Sequence, residues 1–354
     1  MTGVDENLPY ICENPKPQLI GGLGACYMGD DALNLDIRRI VTDSDLDGVV
    51  TAAILKRHWT DAEVFFGHPG ELRAGRLDHL MDDWTAVCDL PLHPNCGLSI
   101  DHHQSNRPTE LTKDGPCIIW EDEPSAARIA YKLVGSAVDL SDLEELLVWV
   151  DKLDGGGITR DEFLSEHPVV WLGRIVDEKG GIAMCILESL ADGLHVDEIL
   201  TIPEISDRVE QEKKRRGEVS DIISERVTIK DRMAIARLEG LGIRSNGYLV
   251  TALVDDSCDA CMVIHGDIGA DFGEEGRYPV SASFYTNSFL HENGGIFDLT
   301  KLATRFDSDG GGHANACGCR IQPLFSGERD DRTVEYSDIE ENIAKWLEIW
   351  SERD

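Results

Sequence analysis

Three carboxylates stand on alternate positions in Asp43-Ser44-Asp45-Leu46-Asp47, and Gly48 closes the run. A further carboxylate, Asp89, follows the apolar stretch TAVC, and a third such stretch ends in Asp101-His102-His103. Asp151 and Asp154 flank the end of an apolar helical segment. Carboxylates mixed with imidazole suit a hard divalent cation such as Mn2+ better than a thiolate-seeking one. Two such ions side by side would clamp a phosphoryl group and make a bridging water nucleophilic. An aspartate-rich loop can also bind Ca2+, but an EF-hand needs further oxygen ligands and a Glu at its twelfth position. Here the chain runs directly into VVTAAILKRHW, which excludes that geometry.

These residues need elements to position them. DIRRIVTDSDLDGVVTAAILKRHW, residues 36–59, reads as strand, loop and helix. Extended stretches near 62–69, 85–92 and 97–103 follow, each an apolar run ending at a polar or acidic residue. Strands alternating with helices predict an open, largely parallel α/β sheet whose ligands bind beyond the carboxyl ends of the strands. PSAARIAYKLV and SDLEELLVWVDKL predict two helices, the second with Ser141 as N-cap and Glu144 completing a capping box. The Asp154-Gly155-Gly156-Gly157 run ends that helix.

The charged stretch 204–227 carries apolar residues at helical intervals, and its Lys213-Lys214-Arg215-Arg216 run is read as a solvated helix face. MAIARLEG, YLVTALVDD, ACMVIHGDIGADF and PVSASFYT read as strands of a second α/β or α+β unit, which ends in DGGGHANACGCRI.

The chain of 354 residues fits two domains. Its 67 acidic against 33 basic side chains give a net charge of -34. Such a surface repels long polyanions and lacks the basic stripe that duplex binding requires, so no duplex DNA partner is expected. Alternatively, the acidity suits a salt-rich cytoplasm that screens it. No apolar run is long enough to span a membrane, and MTGVDENLPY lacks a signal-peptide pattern, so a cytoplasmic protein with no membrane partner is expected. The 10 cysteines show no secreted framework, and reduced thiols are expected. Cys258/Cys261 and Cys317/Cys319 are read as buried thiols rather than a zinc site.

Together these motifs resemble those of the DHH phosphoesterase superfamily. Asp43 to Gly48 matches its first motif, Asp89 its second and Asp101-His102-His103 its third. Asp151 and Asp154 are alternatives for its fourth. Gly310-Gly311-Gly312-His313-Ala314-Asn315 resembles the glycine-rich signature of the C-terminal substrate-binding domain in RecJ-like nucleases and nanoRNases.

The resemblance covers roughly residues 37–154 and 245–322. It implies an N-terminal extension (1–36), a parallel-sheet catalytic domain (37–203), a helical linker (204–235) and a smaller C-terminal α/β domain (236–354), with the active site in the cleft between the two domains. It also implies two divalent metal ions, most naturally Mn2+, with Mg2+ or Co2+ as alternatives. Asp43, Asp45, Asp47, Asp89, His102 and one of Asp151 or Asp154 would serve the metals, with Asp89 bridging.

Asp101 would orient an imidazole. His103 and His313 would contact the phosphate or stabilise charge, and Gly310, Gly311, Gly312, His313 and Asn315 would bind substrate. The implied activity is hydrolysis of a phosphate ester or diester of a small nucleotide: a short oligoribonucleotide, a nucleoside bisphosphate or a linear dinucleotide. Alternatives are a RecJ-like single-strand exonuclease and a non-catalytic nucleotide-binding member, and a homodimer is compatible with either. Two departures stand out. Thr42 precedes the first motif where many relatives have His, and Ser283 stands where many have an arginine.

Overall fold

The computed structural model describes residues 30–108, 115–176, 181–271, 273–291 and 294–353. Most of the assigned N-terminal extension lies outside them. Two compact units emerge, Met1–Gly155 with Val176–Ile199, and Gly156–Ile175 with Leu200–Asp354.

The first unit is built on five parallel strands: β1 (Arg39–Thr42), β2 (Glu63–Phe66), β3 (Thr85–Cys88), β4 (Leu98–Asp101) and β5 (Cys117–Trp120). Their spatial order is β2-β1-β3-β4-β5. β3 and β4 are buried along their whole length, and β1 at all but Arg39, as expected of parallel strands covered on both faces. The order reverses between β1 and β3, and such a switch point opens a crevice beyond the carboxyl ends of the strands.

Helix α1 (Leu46–His58) leaves the loop after β1. Asp45 starts it, because its Oδ1 accepts the Gly48 N–H at 2.9 Å. Residues from Leu46 through Leu55 are all buried, so α1 is enclosed around its whole circumference there rather than showing a solvent face. It packs on α2 (Ala126–Val134), α3 (Glu144–Asp154) and α4 (Ile182–Ala191). On the sheet, Val41 and Val87 join Leu72, Leu77, Met81, Leu90 and Cys96 in one apolar cluster.

One expected cap is displaced. Ser141 does not cap α3: Ser141–Leu143 form a 3-10 turn, and Leu143 precedes the helix. Asp139 takes the Ser141 N–H at 3.0 Å and so favours the tighter turn. The helix does end at the glycines, with Gly155 as its C-cap.

The second unit carries a mixed six-stranded sheet of β6 (Val227–Lys230), β7 (Met233–Arg237), β8 (Ala260–His265), β9 (Ser281–Thr286), β10 (Gly311–His313) and β11 (Ala316–Arg320), in the order β10-β11-β9-β8-β7-β6. Helices α5 (Pro203–Arg226) and α6 (Gly247–Val254) cover one face through Val219, Ile223, Leu249 and Val250. The other face packs Met262, Ile264 and Phe284 under α7 (Tyr336–Ser351), with Trp346 and Trp350 fully inside.

YLVTALVDD, expected as a strand, is α6. Asn246 caps it by accepting the Leu249 N–H at 3.3 Å, and a buried apolar run has no periodicity with which to tell helix from strand. Cys258, Cys261, Cys317 and Cys319 are buried free thiols, as read from the sequence. Among the described residues no helix is long and apolar enough to cross a membrane.

Gly48 sits where a Cβ would lie 2.2 Å from the Asp43 carbonyl oxygen. Gly48→Ala should therefore push the Asp43–Asp47 loop out of place, costing roughly 1–3 kcal/mol. Calorimetry should show a lowered melting temperature, together with weaker divalent-cation binding; unchanged values for both would mean that the loop tolerates the extra carbon.

Candidate metal centre

Each sequence-nominated residue of the first unit leaves a strand or a helix end at the crevice. Asp43 follows β1, Asp89 follows β3, Asp101 ends β4 and Asp154 ends α3. The tight turn after β3 holds Asp89 in the left-handed region at φ 55°, a conformation that Asp tolerates better than most residues.

Asp47 is 2% exposed and accepts two backbone N–H groups at the start of α2, from Ala126 at 2.7 Å and Ala127 at 2.8 Å. A helix N-terminus stabilises a carboxylate there. His102 is oriented from behind, its Nδ1 lying 3.1 Å from the Glu123 carbonyl oxygen. A carbonyl only accepts, so Nδ1 donates and Nε2 is the ring nitrogen turned to the crevice, free to ligate a cation once it gives up its proton.

Around that nitrogen lie Asp154 Oδ2 at 3.1 Å, Asp89 Oδ1 at 3.6 Å and Asp47 Oδ2 at 3.7 Å. None of these contacts has hydrogen-bond alignment: His102 Nε2, Asp89 Oδ1 and Asp101 Oδ2 are buried without a partner. Buried polar atoms are ordinarily satisfied, so a converging set of orphans calls for a ligand. Two overlapping donor groups could hold an ion, namely Asp47, His102 and Asp154, and Asp89, His102 and His103. Oxygen and imidazole donors of this kind fit Mn2+ or Mg2+, and no thiol takes part in either group.

The charges respond to this crowding. Burial, then repulsion from Asp154 and Asp45, pushes the Asp47 carboxyl up to about 7. Burial and the Asp47 charge raise Asp89 well above the ordinary carboxylate range. Burial opposes a charge on His102, but the neighbouring Asp154 and Asp89 outweigh it and push the imidazole up to about 11. Protons thus offset the crowded negative charge, which a divalent cation would do better.

Asp101 shapes the triplet rather than the centre of the cluster. Its Oδ1 accepts from the His102 N–H at 2.8 Å and the His103 N–H at 3.0 Å, and lies 2.9 Å from His103 Nδ1. That contact raises the His103 pKa, and the His103 ring is about half exposed.

The two fourth-motif alternatives separate by their partners. Asp151 is occupied by the Ser125 hydroxyl at 2.7 Å, by Arg128 Nε at 2.9 Å and by Arg128 Nη2. Asp154 faces His102. Asp43 and Asp45 stand outside both donor groups. Asp45 caps α1, and Asp43 Oδ1 takes the Ser44 N–H and lies 3.3 Å from His68 Nδ1. His68 was not nominated, although it closely follows β2 and obeys the same strand-end rule.

Gly310, Gly311, Gly312, His313 and Asn315 belong to the second unit, on and around the β10–β11 hairpin. Two of the glycines are needed for packing: a Cβ on Gly310 would lie 2.4 Å from the Ala303 carbonyl oxygen, and one on Gly312 (φ +136°) 2.7 Å from that of Ala316. Gly311 faces open space, and His313 is exposed. Asp307 braces the preceding loop by accepting from Arg320 N, Nε and Nη2 at 2.8–3.0 Å.

The Lys213–Arg216 run is only half a solvated face. Lys214 and Arg215 are exposed, but Lys213 Nζ lies 5.4 Å from the centre of the Trp171 ring and Arg216 Cζ 4.8 Å from that of Phe163. Long cationic stems covering aromatic rings explain the difference.

No protein-family model and no curated protein sequence matches the chain. Among solved structures it is similar to the pGpG-specific phosphodiesterase PggH from Vibrio cholerae, at 24% identity and a TM-score of 0.69, over 88% of this chain and 99% of that one. RecJ from Thermus thermophilus, in complex with Mn2+, aligns at 13% identity and a TM-score of 0.48, over 88% of this chain and 52% of that one.

Asp154→Asn should weaken Mn2+ binding at least about tenfold in titration calorimetry. Asp151→Asn should instead lower the melting temperature by loosening Arg128 and Ser125; the opposite pattern would exchange their roles. In chelator, stability should fall as pH rises from 5 to 9. Asp47 and His102 hold protons in the folded state to about 7 and about 11. The unfolded chain releases them near 4 and 6.5. Saturating Mn2+ should reverse that slope, and a flat melting temperature in chelator would contradict the account of the cluster.

Proposed function

From the premise that the chain has the DHH phosphoesterase superfamily fold, we propose that it is a metal-dependent phosphohydrolase that cleaves a phosphodiester of a small nucleotide, with a linear dinucleotide as the first candidate. The observation that carries this reading is the convergence of Asp47, Asp89 and Asp154 on the unsatisfied Nε2 of His102. The likeness to a phosphodiesterase whose name specifies pGpG supports a substrate of dinucleotide size, as does a net charge of -34, which disfavours a long strand.

In this reading Asp47, Asp89, His102 and Asp154 hold the metal ions, with Asp43, Asp45 and His68 alongside. Bound divalent cations supply a nucleophilic water at neutral pH and neutralise charge on the phosphoryl oxygens. The protein contributes order. The α2 amides fix Asp47, the Glu123 carbonyl fixes the His102 tautomer, and Asp101 fixes both the backbone and the ring of His103. His103, whose pKa is raised by its contact with Asp101, donates to a phosphoryl oxygen when protonated and stabilises the charge that grows there.

Purified protein with Mn2+ should hydrolyse a linear dinucleotide faster than a long single strand, a nucleoside 3′,5′-bisphosphate or pyrophosphate. His102→Ala should abolish turnover. Asp101→Asn should lower kcat by about 10²–10³-fold, the range seen when one preorganised transition-state contact is lost. Preference for the long strand would favour an exonuclease, and binding without turnover of any substrate would favour a non-catalytic nucleotide-binding role.

A further inference from the structure

The cations beside the crevice in the first unit are mostly engaged. Arg128 is held by Asp151, and Lys132 by Glu121 and Glu123. Arg107 differs. It is exposed, and among the described residues it forms no ion pair, in a chain where acidic groups outnumber basic ones two to one.

Its guanidinium lies over the Trp120 ring, with Cζ 4.9 Å from the ring centre. Trp120 is in turn tied to the metal-site triplet, since its Nε1–H donates to the His103 carbonyl at 3.0 Å and it sits in register opposite Asp101. An arginine stacked on a ring loses less freedom when it meets an anion, and its planar fork fits phosphate oxygens in bidentate fashion. A cation fixed beside His103 is therefore suited to a substrate phosphate other than the one being cleaved.

We propose that Arg107, carried on Trp120, forms a subsite for a terminal phosphomonoester, so that the protein selects short nucleotides bearing such a group. The subsite rests on the proposed function for the identity of the ligand, but binding tests it separately from turnover. Affinities are measured by titration calorimetry, with Ca2+ as the cation, for an unphosphorylated dinucleotide and for its 5′- and 3′-phosphorylated forms.

The wild-type protein should bind one phosphorylated form at least about tenfold more tightly than the unphosphorylated one, the scale of a charge-assisted contact. Arg107→Gln, at an unchanged melting temperature, should bring that ratio close to one. A wild-type ratio near one, or a ratio that survives Arg107→Gln, overturns the subsite. Selective binding without hydrolysis of any form would leave the subsite standing and remove the hydrolase reading instead.

Discussion

Gathering three carboxylates around one imidazole, two of the carboxylates buried, is the constraint on which the rest of the first unit depends. Desolvation penalises each charge, and like charges at this range repel. The fold answers with fixed dipoles. Asp47 rests on the amino end of α2, His102 is turned by a backbone carbonyl, and Asp101 accepts two successive amides of its own triplet. These contacts satisfy the outer atoms of the cluster and leave the inner ones, His102 Nε2 and Asp89 Oδ1, facing one another without a partner. A folded protein retains that arrangement at a cost in stability, which points to a ligand of opposite charge.

Topology makes the gathering feasible. In a parallel sheet every strand delivers its last residue to the same edge, and the reversal of order between β1 and β3 leaves room there for a ligand. Asp43 to Asp47, Asp89 and the Asp101 triplet are distant in sequence and adjacent in space for that reason alone. α1 connects the edge to the core, because its first residues carry Asp47 while its buried body packs on α2, α3 and α4.

Much of this was legible in the sequence because parallel strands read as short apolar runs and polar residues at their ends are conspicuous. The same rule points to His68, whose imidazole stands in the sequence with no second motif residue beside it. The choice between Asp151 and Asp154 was not legible. Both lie on one helix, and only the approach of Arg128 and Ser125 from another element commits Asp151 to structure. α6 was misread for a related reason: in a fully buried segment burial erases the alternation on which pattern reading depends, and the decisive signal was the single cap at Asn246. The inward turn of Lys213 and Arg216 was likewise invisible, since their aromatic partners come from a separate stretch of chain.

The central claim is that Asp47, Asp89, His102 and Asp154 form a divalent-cation site. Anomalous diffraction from crystals grown with Mn2+ tests it most directly. The account predicts a strong anomalous peak at coordination distance from His102 Nε2 and the facing carboxylate oxygens of Asp89 and Asp154. Saturating Mn2+ with no peak there, or with His102 still directed at bare carboxylates, would contradict it.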